Sequence, residues 1–146
     1  MRSDYTVAIH SLMLVAFYRQ DSITSEKVAR SIGCNPVIVR NVFTKLNKAG
    51  LLRTGLGRRR TELGRPAGEI TLRDVYLVTV PEDVDVFKMY EPNPQCPVGP
   101  DIHDILSVRF GGVRDAMLGE LGRTTIADLV AELPPEKDRL PEALRD

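Results

Sequence analysis

Residues 24–52 read TSEKVARSIGCNPVIVRNVFTKLNKAGLL. Thr24 is placed to cap a helix over Ser25 to Ile32, and Gly33 supplies the left-handed residue that ends it. Asn35 caps a second helix, and Pro36 occupies its first position, where a missing N–H costs nothing. That helix is expected to run to Ala49 and to stop at Gly50. Val39, Val42, Phe43 and Leu46 recur at three-and-four spacing and form its inward stripe. Val37, Arg40, Asn41, Thr44, Lys45 and Lys48 are left on the outward surfaces. Two short helices joined by a tight turn, followed by a basic hairpin, make a winged helix-turn-helix. The second helix of such a unit is shaped to enter a DNA major groove.

Leu51 to Thr54 reads as a strand, Gly55 to Gly64 as the wing, and Ile70 as the return toward the core. Upstream, Ser3 can cap a helix reaching about Gln20. Its apolar residues lie on nearly every side, which places it centrally among other elements. Downstream, Thr71 caps a helix over Leu72 to Thr79. The stretch 80–98 holds four prolines and reads as a loop. Gly99-Pro100-Asp101 opens the longest helix, extended to about Leu121, with Asp101 and Asp104 at the positive end of its dipole. Ile102, Leu106, Phe110, Val113, Met117 and Leu121 form a near-heptad stripe suited to a partner helix. Gly111-Gly112 interrupts it, at about 1 kcal/mol of helix propensity per glycine. The pair either admits another backbone closely or kinks the helix. Thr124 or Thr125 caps a last helix to Leu133.

The expected architecture is therefore mainly α with a small β wing. Residues 1–79 form the winged helix-turn-helix domain, 80–98 a loop, 99–133 the dimerisation helix and terminal helix, and 134–146 a disordered tail rich in proline and charge.

Composition bounds the function. The 146 residues are 42% apolar and 27% charged, and the formal net charge is zero. That zero conceals an asymmetry. Residues 1–65 hold 12 Lys and Arg against 4 Asp and Glu, and residues 66–146 hold 8 against 16. The basic half is expected to meet DNA, and the acidic half to carry dimerisation and any signal input. The longest mainly apolar stretch, Val7 to Tyr18, is shorter than the roughly 20 residues a membrane helix needs. No small-residue cleavage site follows the N-terminal charges, so neither a signal peptide nor a membrane partner is expected. Two cysteines far apart in sequence make no disulfide framework, and a cytoplasmic location with reduced thiols is expected.

On the outward face, Asn35, Val37, Arg40, Asn41 and Thr44 are candidates for base edges. Arg40 can bond guanine in two places, worth about 1–3 kcal/mol of discrimination. Lys45 and Lys48 lie further along and suit phosphates, which position without reading sequence. Arg58, Arg59 and Arg60 at the wing tip, flanked by Arg53 and Arg65, can follow a backbone or enter a minor groove. A solvated charged face is the ordinary reading of an isolated run of cations. The order cap, turn, helix, basic wing argues against it here. A winged helix that docks a protein instead of DNA is the competing reading. No phosphate-binding glycine loop, nucleophile elbow or paired carboxylate motif occurs, so an enzyme is not expected.

The segment Gly33 to Leu52, the segment GRPAGEITLRDVY (Gly64–Tyr76) and the late TIADL (Thr125–Leu129) resemble the Rrf-two family of winged-helix regulators, the BadM/IscR/NsrR-type group. The resemblance covers nearly all of the chain except the tail. It is closest to a cluster-free branch with an NPxCPVG segment, here Asn93–Gly99. It implies a homodimer with long helices crossed between subunits, bound to a pseudo-palindromic operator. Repression is the expected mode, since a compact dimer can occlude a promoter. Many members carry a glycine run at the wing tip, where this chain has Arg58-Arg59-Arg60. Sensor members hold an iron–sulfur cluster on three cysteines before the long helix, and only Cys96 remains, roughly where the last of them falls. A cluster, which needs several ligands held together, is accordingly not expected from Cys34, Cys96, His10 and His103, although a dimer could bring two Cys96 residues together.

Cys34, in the turn between the two helices, reads as a small buried hydrophobe. Cys96 is either a structural loop residue or a redox sensor. His103 reads as an ordinary surface or interface histidine. The effector is not legible.

Overall fold

A helix apolar on most of its faces must be surrounded, and α1 (Asp4–Phe17) is. It packs against four other α-helices and against the second strand of the wing. Val7, Ala8, Leu12, Val15 and Ala16 are buried in it, and the buried Ser11 hydroxyl donates to the Val7 carbonyl at 2.7 Å. That bond satisfies a polar group within its own helix. The computed structural model describes residues 4–19, 21–55, 60–135 and 141–145. The expected cap Ser3 lies outside them. α1 stops at Phe17 rather than Gln20, and the chain turns there as Asp21 N–H donates to the Tyr18 carbonyl.

α2 (Ser25–Ile32) and α3 (Pro36–Lys48) have the caps read from sequence. Thr24 accepts from Lys27 N–H at 3.2 Å, and Asn35 accepts from Val37 N–H at 2.9 Å. Gly33 sits at φ 81°, a conformation costly for any residue with a Cβ. The buried face of α3 is Val39, Val42, Phe43 and Leu46. Gly50, at φ 74°, turns the chain into β1 (Leu52–Arg53), which pairs antiparallel with β2 (Glu62–Leu63) in the register Leu52 to Leu63 and Arg53 to Glu62. Behind the pair, Gly64 N–H donates to the Leu51 carbonyl at 3.0 Å, and a Cβ on Gly64 would collide with the Gly50 carbonyl.

α4 (Leu72–Thr79) and α6 (Ile126–Ala131) begin with matched capping boxes, Thr71 with Asp74 and Thr125 with Asp128. The two starts also pair with each other. Leu72 N–H donates to the Thr124 carbonyl at 3.0 Å, and Ile126 N–H to the Ile70 carbonyl at 2.8 Å. Ile70 and Ile126 are fully buried, so α6 belongs to the core of the winged helix and packs on α1. This corrects the division that grouped the terminal helix with the dimerisation helix. α6 also ends at Ala131, short of Leu133.

The tail is corrected in part. Residues 142–144 form a 3-10 turn beside α2, and Leu144 packs against the core, while residues 136–140 and 146 lie outside the described residues.

α5 (Gly99–Leu121) spans 23 residues, about 34 Å at 1.5 Å per residue. Leu118 alone among them is buried, anchoring the end that meets α4. The helix continues unbroken through Gly111 and Gly112, whose missing side chains face open space.

Candidate nucleic-acid interface

The core stripe of α3 fixes the opposite face outward. Asn35, Val37, Arg40, Asn41, Thr44 and Lys48 are all exposed, and half of the Val37 surface is open. The Asn35 carboxamide oxygen is committed to the cap, leaving its NH2 to meet a ligand. The Thr44 hydroxyl donates to the Arg40 carbonyl at 3.0 Å and keeps lone pairs for an outside donor. Arg40 lies 3.7 Å from Glu26 of α2, with both side chains more than half exposed. The Glu26 carboxyl is held below the ordinary carboxylate range, first by a hydrogen bond with its own backbone and then by the Ser25 hydroxyl, 3.2 Å away.

Lys45 departs from expectation. It projects sideways from α3 and donates to Asp4 of α1 at 3.1 Å, so its charge braces two helices. Arg65, expected beside the wing, pairs with Asp74 at 3.4 Å and so buttresses the cap of α4. Arg53 and Arg60 are exposed at the wing base. Arg58 and Arg59 lie outside the described residues.

Sequence reasoning missed Asn47. Its NH2 donates to the Phe43 carbonyl at 2.7 Å and to the Thr54 hydroxyl at 2.8 Å, while its Oδ1 accepts from Thr54 N–H at 2.9 Å. The residue ties the last turn of α3 to the wing. Beside it, a groove of about 470 Å³ between α2, α3 and the wing is lined by serines and threonines of all three, together with Glu26 and Arg40. Hydroxyls and backbone N–H groups suit phosphate oxygens.

On α5, the expected stripe divides. Phe110 is half-buried against Phe87 of the preceding loop, ring centroids 4.7 Å apart. Leu106, Met117 and Leu121 are likewise half-covered, whereas Ile102 and Val113 are exposed. The barest apolar side chains are Ile105 and Val108, 60% and 76% open, which the heptad reading passed over. They stand three and six positions beyond Ile102, a spacing that could have found them.

Cys96 is half-buried in a turn closed by its N–H to the Asn93 carbonyl at 3.0 Å, and its side chain lies against Gly99 at the start of α5. Cys34, expected to be buried, is only half-buried, packed against the edge of the core. His103 sits 3.8 Å from Asp104. Among the described residues, no three His, Cys, Asp or Glu are grouped to hold a metal ion, and no helix is long and apolar enough to cross a membrane.

A capped helix-turn-helix with a polar outward face and a hairpin wing clamped beside it defines a winged-helix DNA-binding protein. The chain belongs to the Rrf2 family, described as iron-dependent transcriptional regulators, whose pattern matches residues 1–132. It is similar to YwnA of Bacillus subtilis, described as an HTH-type transcriptional regulator, with 34% identity over 134 residues covering 91% of this chain and 98% of that one. A transcriptional regulator from Lactobacillus plantarum has a similar structure, with TM-score 0.76, 26% identity and 94% of each chain covered. CymR, the global cysteine regulator of B. subtilis, shares the fold at TM-score 0.66 and 18% identity, over 92% of this chain and 98% of that one. The protein is a transcriptional regulator with a DNA-binding fold, and its family and relatives are regulators rather than enzymes.

Proposed function

We propose that the protein is a homodimeric repressor that binds a pseudo-palindromic operator through α3 and the wing of each subunit. The observation that carries the DNA half of this reading is the outward face of α3, where Val37, Arg40, Asn41, Thr44 and Lys48 are exposed together beside the basic wing. Arg40, Asn41 and Thr44 read base edges, and Lys48 and the wing arginines contact phosphates. The dimeric half rests on α5. A 23-residue helix with a single buried side chain would be marginal alone in water, and its apolar ridge suits a second copy. Two recognition helices would then meet half-sites about 34 Å apart, or a multiple of that.

The thiol and histidine set supports a regulator without a resident cluster, because the loop before α5 offers Cys96 alone where several ligands are needed. Cys96 is the candidate for any response to oxidants. A compartment holding the chromosome, the cytoplasm, follows from the same reading.

Selection of bound fragments from random DNA, followed by affinity measurements across a salt series, tests it. A dimer neutralising about 8 phosphates gives a slope of roughly −7 for log affinity against log salt. A palindromic consensus with that steep slope is the expected result. A flat response with no selected sequence would overturn it in favour of a protein-docking adaptor.

A further inference from the structure

The wing ribbon holds two residue pairs, too few to fix its own direction in water. Something else must aim it. The chain leaves β1 at Thr54 and returns to β2 at Glu62, so whatever holds Thr54 sets the take-off of the wing. Asn47 holds it twice, through the backbone N–H and through the hydroxyl, and a third bond to the Phe43 carbonyl anchors the carboxamide to α3 itself. The amide can face only one way. A carbonyl can only accept, so nitrogen must face Phe43, and a backbone N–H can only donate, so oxygen must face Thr54. Aspartate would set a carboxylate against the Phe43 carbonyl, alanine would leave Thr54 N–H without this partner, and glutamine would overreach.

We propose that Asn47 is a positioning residue for DNA binding. It fixes the wing relative to the reading face of α3, so that both engage one duplex without a further ordering cost. This rests on the DNA-binding reading above. Two contact regions linked rigidly bind as one, whereas a loosened wing must be ordered at each encounter, and its phosphate contacts fade.

The test uses the full chain, a selected operator fragment and a salt series, with Arg60→Ala as the reference for a lost wing contact. In a dimer, Arg60→Ala should lower the salt slope by about 2. Asn47→Ala should lower it at least as much, leave the preferred bases unchanged, and make a superimposed Arg60→Ala silent, since the two act on one contact. Hydrogen exchange at the Thr54 amide should accelerate in the same variant. Thr54→Val, which retains the backbone bond and removes the hydroxyl, should fall between, and it decides the matter should Asn47→Ala not fold. An unchanged slope, or effects of Asn47→Ala and Arg60→Ala that simply add, overturns the clamp while leaving DNA binding intact. Absence of any salt-dependent DNA binding by the unaltered chain overturns both.

Discussion

Glu26 of α2 stands 3.7 Å from Arg40 of α3, on the surface where Arg40 would read a base. An exposed pair at that distance contributes about 0–1 kcal/mol to stability. Its larger consequence is for recognition. The carboxylate repels nearby phosphates, and Arg40 must leave it to reach a guanine. Glu26→Gln should therefore leave the melting temperature almost unchanged and tighten binding to all DNA several-fold. Arg40→Ala should instead relax selection at one base position per half-site. Titrations against selected and scrambled fragments separate the two, and identical behaviour of both variants would refute the assignment.

The free ridge of α5 predicts a ranking. Ile105→Glu and Val113→Glu place charge on side chains open in the single subunit, so light scattering should show monomers and operator binding should collapse. Phe110→Ala removes a ring packed on Phe87 and should loosen the loop while dimers persist. The reverse order would move the interface away from this ridge.

Gly64→Ala tests the seam between α3 and the wing. Its methyl group would meet the Gly50 carbonyl, a backbone atom that cannot swing aside. The expected cost is at least about 1–3 kcal/mol in urea unfolding. An unaltered midpoint would mean that the seam is looser than drawn.

Two side chains give stability opposite pH limbs. Tyr5 donates to the Leu72 carbonyl at 2.7 Å, and burial, reinforced by Tyr76, pushes its pKa from 10.0 to about 12. The folded state thus retains a proton that the unfolded state loses, so this contribution is full below pH 10 and declines as pH rises toward 12. His10, bonded to Ser31 at 2.8 Å, is shifted the other way, below 6.5, by burial. Its contribution is full above pH 6.5 and falls as acid protonates the unfolded chain first. Chemical denaturation across pH should show Tyr5→Phe flattening the alkaline limb and His10→Gln the acid one.

Cys96→Ser should leave the fold and dimer intact and abolish any effect of thiol oxidants on operator binding. A response that survives the substitution removes Cys96 as the sensor.

What could be read along the chain was whatever local chemistry writes. Thr24, Gly33, Asn35 and Pro36 delimit α2 and α3 because caps and turns act within three or four residues. Val39, Val42, Phe43 and Leu46 mark a buried stripe by spacing alone, and so expose Arg40, Asn41 and Thr44 by exclusion. The start of α5 followed from Gly99-Pro100-Asp101, although no side chain caps its first turn. Tertiary structure decided what spacing leaves open. Lys45 went to Asp4, 41 positions earlier, because α1 happens to cross α3 there. Asn47 took Thr54, and the paired starts of α4 and α6 drew the terminal helix into the core, since each pairing joins groups brought near only by packing. On α5, apolar residues lie on more than one side, and only contact with Phe87 and α4 settled which of them remain bare for a partner.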